Sequence, residues 1–357
     1  MTDSLLFTEL SPWGLLIASY LFLGGASGGA FCVAALGEFK KEYLPLSKWA
    51  ALVGAPAIIV GLIFLLADLG GPTKAINVFA NVESSVMTWG SLIISVFTLV
   101  SLFYISFWLR IFPWSKNLAL RKMTAEIGLI LAVATMVYTG VLLGAAPGRP
   151  LWNSPVVPVL FAVSGLSGGM ALTVVFGTLA PKDKSLAAHA VERVHKLDSY
   201  VILTEIIVVA TLLVSASVSS FTGSGSVNSI VEGPYALLFW SGLVFLGFLI
   251  PLGLQTFASS QKKSHISGLL VSSFAVAISG FVLRYLIVST GYSTPIPYVS
   301  NFFDLVPASS PTIPDYLTTI GLFALLALVY VVGTLFIRMQ EPKPIPGQVI
   351  IAPAKRK

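Results

Sequence analysis

The sequence predicts an all-α polytopic membrane protein of nine transmembrane helices, and three observations carry that prediction. Charged residues make up only 10% of the chain, against roughly 25% in a soluble domain, while 56% of residues are hydrophobic. Apolar runs of about 20 residues or more, long enough to cross ~30 Å of hydrocarbon, recur along the chain. The basic residues fall on alternate links between those runs, as the positive-inside rule requires of a membrane protein.

The runs lie near 12–36, 49–68, 86–109, 124–144, 155–180, 197–220, 234–258, 266–288 and 316–338. The stretch before the first, "MTDSLLFTELSPW", carries two acids and no Lys or Arg. A secretory signal has a basic region at this place, so 12–36 reads as a retained first helix. Of the 21 Lys and Arg, eighteen sit on one set of links and only Lys74 and Arg149 on the other, with Arg284 inside a run. The N-terminus is therefore expected outside and the C-terminus inside, in the cytoplasmic membrane. The net charge of +6 is a topology signal, and nucleic acid is not an expected partner.

Residues 16–37, "LIASYLFLGGASGGAFCVAALG", align with 156–177, "VVPVLFAVSGLSGGMALTVVFG". Gly25, Ser27, Gly28, Gly29 and Gly37 meet Gly165, Ser167, Gly168, Gly169 and Gly177. Both segments start on the outer side, so the repeat is parallel. The chain divides into two parallel-related four-helix bundles, 1–144 and 145–288, followed by 289–357 with an outer Pro-rich loop, the ninth helix and a basic inner tail. Two readings stand for the Gly/Ser clusters. Small residues let helix backbones approach in lipid, and they also leave room for a flat ligand.

The outer links, at 68–90, 145–158 and 290–316, are rich in Pro, Gly and aromatic residues, whereas the inner links are short and charged. Long, uncharged outer loops of this kind have a covering or docking job. Cys32 is the only cysteine and cannot by itself build a disulfide, zinc or iron–sulfur site. His189, His195 and His265 lie in or beside inner links, where solvated side chains are expected, and none is placed to ligate a transmembrane haem. No metal site, haem or iron–sulfur cluster is expected in this chain.

What remains is a short set of ionisable residues at membrane depth: Asp68, Glu126, Asp198, Glu205 and Arg284. Each costs about 2.5–3.5 kcal/mol at a helix centre on insertion scales, which makes such residues functional candidates by default. The plain readings stand beside this one: a capping acid at a helix end for Asp68, acids favoured by the helix dipole for Glu126 and Asp198, and pairing with an outer acid for Arg284. For Glu205, near mid-membrane, no cap or interface offers an alternative.

The motifs carry a resemblance. "ADLGGPTKAINVF" followed by "SSVMTWGS" resembles the Asp-Leu-Gly-x-Pro and Ser-Pro-Met-Ser-Trp-Gly signature of the polysulfide-reductase membrane-subunit family, the NrfD-like proteins. "YTGVLLGAAPGRPLWNSPVVPVLFAVSGLSGG" (138–169), "GPYALLFWSGLVFLGFLIPLGLQ" (233–255) and "GFVLRYLIVSTG" (280–291) resemble its helices four to five, seven and eight. Gly71 stands where the family commonly has a basic residue, Val86 where Pro is usual, and helix one has no His or Asn.

The resemblance implies a quinone-binding subunit, without catalytic residues of its own, in a multi-subunit redox complex. It implies docking of a ferredoxin-like iron–sulfur subunit on the outer face and a molybdopterin or related catalytic subunit beyond it. Quinone would bind near the outer ends of helices one to four. Tyr138 would be a hydrogen-bond partner, Asp68 a proton exchanger, the Leu69–Gly70 backbone a further contact, and Trp13, Tyr20 and Trp89 the entrance. Asp68, Glu126, Asp198, Glu205 and Arg284 would form a proton path. Two other readings suit the sequence less specifically: a proton- or ion-coupled secondary transporter, and a passive membrane anchor.

Overall fold

The computed structural model describes residues 13–69, 85–109, 111–145, 149, 151–179, 184–219, 221–254, 266–293 and 311–336. These residues are helical throughout, with short turns and no strand. The helices are α1 (Leu15–Phe39), α2 (Leu44–Asp68), α3 (Val86–Leu109), α4 (Leu118–Gly144), α5 (Val156–Leu179), α6 (Lys184–Ser219) and α7 (Phe221–Val231), then α8 (Leu238–Leu254), α9 (Ile266–Ser293) and α10 (Ile313–Phe336). Eight of them are long and apolar enough to cross a membrane. These eight cover every run expected from the sequence except 234–258, where α8 is a shorter apolar helix with π-type winding over Leu238–Leu249.

Local chemistry explains the helix starts. Pro45 occupies the first turn of α2, where a missing N–H leaves no orphan. Asn117 caps α4 by accepting from Leu120 N at 3.0 Å. Before α10, Asp315 reaches back to accept from Thr312 N at 2.9 Å and Thr312 Oγ1 at 2.8 Å, the acid half of a Ser/Thr-x-x-acid capping box.

The helix α1 is the axle of the molecule. Its most apolar 18 residues are 89% buried, against 22% for α10 at the periphery. A helix this buried in lipid depends on close backbone approach, because hydrocarbon supplies no hydrophobic drive. The two Gly/Ser clusters meet here, face to face. A Cβ at Gly25 would lie 3.3 Å from Gly165 Cα, and one at Gly165 would lie 3.1 Å from Gly25 Cα. A Cβ at Gly29 would lie 2.9 Å from the Leu166 carbonyl oxygen, and one at Gly169 would crowd Ala26 O, Gly29 C and Ala30 N. Position 25 pairs with 165 and 29 with 169, so α1 and α5 run the same way, and the contacts are reciprocal under the 140-residue offset. The clusters therefore pack against each other, and the first also packs within its own unit, where a Cβ at Gly28 would meet Ala132 O and Met136.

Each cluster also ties its own second helix. Ser27 Oγ donates to Gly54 O of α2 at 2.7 Å, and Ser167 Oγ donates to Asp198 Oδ1 of α6 at 2.7 Å. The helix α10 leans across the junction, where Phe323 packs on Phe22, Phe64 and Phe281, and Tyr330 donates to Phe176 O at 2.7 Å.

Candidate functional site

Two polar regions emerge, one at an end of α1–α4 and one inside α5, α6 and α9. The first lies where α2 and α4 finish and α1 and α3 begin. Tyr138 sits six residues before the end of α4, about 9 Å along the axis. Its ring rests directly on Gly90 of α3, where a Cβ would fall inside the phenol. Only Gly leaves this slot open. The Tyr138 hydroxyl lies 3.5 Å from Met87 O, at the limit of a hydrogen bond, so it keeps donor capacity for something better placed. Tyr20 of α1, 1% exposed, lies within electrostatic range of Tyr138. Asp68, half-buried, is the last residue of α2 and lies within electrostatic range of Asp315. Leu69 caps that end through its N–H to Leu65 O at 3.0 Å.

Gly70 lies outside the described residues. Trp89 is 57% exposed, facing away from the slot behind Gly90. Trp13 stacks on Trp152 at 5.4 Å, and Trp152 Nε1 donates to Ile287 O of α9 at 2.7 Å. Trp13 thus ties the start of α1 to the α4–α5 link and α9.

The second region is a buried polar seam. Arg284 of α9, 1% exposed, donates through Nη2 to Phe161 O at 2.9 Å and through Nη1 to Ser164 Oγ. Its guanidinium covers the Phe161 ring at 4.0 Å, a cation–π contact in a desolvated place. Arg284 Nη2 would lie only 3.2 Å from a Cβ at Gly25, so that glycine makes room for it as well as for α5. Its Nε has no partner among the described residues. One turn along α5, Ser167 donates to Asp198, 2% exposed. Glu205, 5% exposed, lies two turns beyond Asp198 on α6, within electrostatic range of both Asp198 and Arg284.

The structure thus gathers Asp198, Glu205 and Arg284 but not Asp68, which belongs to the first region. Glu126 is on the exposed face of α4, outside the seam. One expectation needs correction: His195 is not solvated. It is 3% exposed, one turn before Asp198 on α6, and its Nδ1 has no partner among the described residues. The reason is that α6 begins well before the apolar run at 197–220, which carries His195 into the protein. Sequence reading also missed Ser164 and Gly90. A Gly beside a Trp, or a Ser in a Gly/Ser run, gives no local sign of the side chain that will dock on it. Among the described residues there is no cluster of His, Cys, Asp and Glu able to hold a metal.

Known proteins share this sequence pattern. The model of a family described as polysulphide reductase, NrfD, matches residues 5–296. Protein NrfD homolog of Haemophilus influenzae is 27% identical over 308 residues, covering 79% of this chain and 95% of the relative. A polysulfide reductase chain of Wolinella succinogenes is 31% identical over 305 residues, covering 78% and 94%. A selenate reductase subunit of Mesobacillus selenatarsenatis is 22% identical over 368 residues, covering 90% and 85%.

Proposed function

The chain belongs to the polysulphide reductase NrfD family, and from that premise we propose that it is the quinone-facing membrane subunit of a multi-subunit reductase. Two relatives bear the names of a polysulfide reductase chain and a selenate reductase subunit, which supports membership of a complex with a separate catalytic partner. The observation that carries the quinone assignment is the Tyr138 phenol seated on Gly90, its hydroxyl only loosely engaged with Met87 O, at the helix ends that also hold Asp68. Residues of these types fit the group: a quinone oxygen needs a donor, and its proton needs an exchangeable carboxyl.

When bound, quinone supplies a two-electron, two-proton couple, with an iron–sulfur partner on the outer face as the electron partner. Tyr138 Oη would donate a hydrogen bond to a quinone oxygen and so help to hold the ring. Asp68, the last residue of α2, would take or give the proton at the outer surface. Tyr20, buried on the α1 side, would help to keep water from the Tyr138 hydroxyl. None of these steps requires a residue on the far side of α1.

The proposal also includes proton movement. His195, Asp198, Ser167, Ser164, Arg284 and Glu205 place titratable and hydroxyl groups from the inner part of α6 toward the centre of the protein. Such groups persist in a membrane only with a function or a partner. The same-direction crossing of α1 and α5 supports this reading over a secondary transporter, whose sites commonly lie between inverted repeats.

Substitutions at the slot test the site. Tyr138→Phe removes one hydroxyl and little volume, and a net hydrogen bond is worth about 0.5–1.5 kcal/mol. Quinol oxidation by the purified complex is expected to fall several-fold with assembly intact. Asp68→Asn is expected to cost more, because it removes a proton acceptor. Turnover at the parent rate in both variants places the quinone elsewhere.

Topology and docking side are tested by single cysteines in a Cys32→Ser background. Ser154→Cys, in the α4–α5 link, is expected to react with an impermeant thiol reagent from outside intact cells lacking the iron–sulfur subunit, and to be protected when that subunit is present. Ser185→Cys, at the start of α6, is expected to react only after the cells are opened. Reaction of Ser185→Cys from outside inverts the topology and removes the docking side with it.

A further inference from the structure

The first four helices contain a second charged cluster, at the end opposite Tyr138, that the proposed quinone chemistry does not use. Along α3, Gly90, Ile94, Phe97, Ser101, Tyr104 and Trp108 are buried at alternating steps of four and three, a stripe that faces the interior from one end of the helix to the other. Phe31 of α1 fills the space beside it, edge-on to Phe97 at 5.6 Å and tilted on Tyr104 at 5.2 Å. The same ring occupies the place a Cβ would take at Gly128 of α4. Beyond this aromatic column, Glu38 closes the end. Arg121 Nη2 donates to Glu38 Oε2 at 2.9 Å, Arg121 Nε lies 2.8 Å from Oε1, and Tyr104 Oη donates to Oε1 at 2.8 Å. The guanidinium also covers the Trp108 ring at 4.5 Å. The side chains of Arg121 and Glu38 are 11% and 6% exposed.

We infer that Glu38, Arg121 and Tyr104, with Phe31 behind them, form a barrier that closes the first four-helix unit to water and protons at the end opposite Tyr138. A buried water persists only with two to four polar partners. At this end the Glu38 carboxylate is engaged by Arg121 Nη2 and Tyr104 Oη in charge-assisted contacts and the guanidinium lies against the Trp108 ring, while Arg121 Nε and Trp108 Nε1 have no hydrogen-bond partner among the described residues. Further in, Ser101 Oγ is the next polar atom on the stripe, and it has no partner among the described residues. Between Tyr104 and Tyr138 the rest of the stripe is Phe97, Ile94 and Gly90, so Ser101 is its single polar side chain, short of the two to four partners a water needs. The second unit is built the other way, with hydroxyl and carboxyl groups along the seam from His195 to Arg284. The barrier's purpose rests on the proposed function: it confines proton exchange with the inner side to the seam. The closure itself is a property of this chain alone and is testable without quinone.

The test uses the purified complex in proteoliposomes, in a Cys32→Ser background. Ser101→Cys changes one atom and puts a thiol one turn behind Tyr104. With Glu38 present, it is expected to resist a charged methanethiosulfonate applied from the side where α4 begins. With Glu38→Ala, Arg121 and Tyr104 lose their shared acceptor, and the same thiol is expected to react several-fold faster. Passive proton influx, driven by a potassium diffusion potential with no quinol present, is expected to rise several-fold as well. Should Glu38→Ala fail to assemble, the paired Glu38→Gln and Arg121→Gln exchange keeps net charge while removing the ion pair, and the same direction of change is expected. Equal thiol reactivity with and without Glu38, or an unchanged proton influx in the variants, overturns the barrier. Such a result leaves the Tyr138 assignment standing, and loss of that assignment leaves the barrier standing.

Discussion

Gly169→Leu is expected to prevent accumulation of the folded protein, and Gly169→Ala to cost about 3 kcal/mol, the upper part of the range for overpacking a buried site. The size of the effect follows from what the added carbon meets. At most buried positions a new methyl strikes a side chain that can turn aside. At Gly169 it strikes Ala30 N, Gly29 C and Ala26 O, all backbone of the central helix. The two helices can relieve that contact only by separating. Separation would pull α1 from the helix that holds Ser164 and Ser167, and with it the support of Arg284 and Asp198. Gly268→Ala and Gly321→Ala are the matched controls, because a Cβ at either meets nothing within 4 Å. Both are helical, where Ala is favoured over Gly by up to about 1 kcal/mol, so these variants are expected to be neutral or slightly more stable. The measurement is the fraction of detergent-solubilised protein that remains monodisperse after heating, followed with temperature. If Gly169→Ala melts with the controls, α1 and α5 are not in backbone contact.

Glu205→Gln is expected to abolish charge movement coupled to quinol turnover while leaving a measurable rate of electron transfer. The expectation rests on the proposed proton route and on the neighbourhood of Arg284. The guanidinium is held by two neutral oxygens, Phe161 O and Ser164 Oγ, and by the face of an aromatic ring. These contacts orient it but do not cancel its charge. Glu205 on α6 and Arg284 on α9 sense each other through the low dielectric between them, where field effects are far stronger than in water. Moving a proton on or off Glu205 therefore changes the cost of keeping Arg284 charged, a coupling that a Gln cannot transmit. Gln preserves volume and hydrogen bonding, so assembly is expected to be unaffected. Arg284→Met is expected to be harsher, because removing one member of a buried charged set commonly costs about 3–5 kcal/mol. The readout is a voltage-sensitive dye in proteoliposomes of the complex, normalised to quinol oxidised. Coupling at the parent ratio in Glu205→Gln removes Glu205 from the route.

The membrane class was legible because it depends on summed composition. A run such as 86–109 has no charge to solvate and is long enough to span the hydrocarbon, and several such runs recur in one chain. The parallel repeat was legible for a similar reason: five small residues recur at a fixed offset. The candidate site residues were partly legible. Asp68, Asp198, Glu205 and Arg284 stand out in apolar surroundings because the transfer cost of an ionisable group is local to it. Their partners carry no such mark. Ser164, Ser167 and Gly90 are ordinary small residues until a particular side chain arrives from another helix.

Composition, hydropathy and repeat spacing determined by themselves that this chain is a bundle of apolar helices with a duplicated core and a few costly charges inside. Those properties are set by solvation, which acts residue by residue. Only the tertiary structure decided that the two Gly/Ser clusters press against each other and that His195 is buried. It also decided that Glu126 lies outside the seam and that Glu38 meets Arg121 across 83 residues of chain. These outcomes depend on helix rotation and register. In lipid, rotation and register follow from which small surfaces fit closely enough for backbones to touch, and no single segment contains that information.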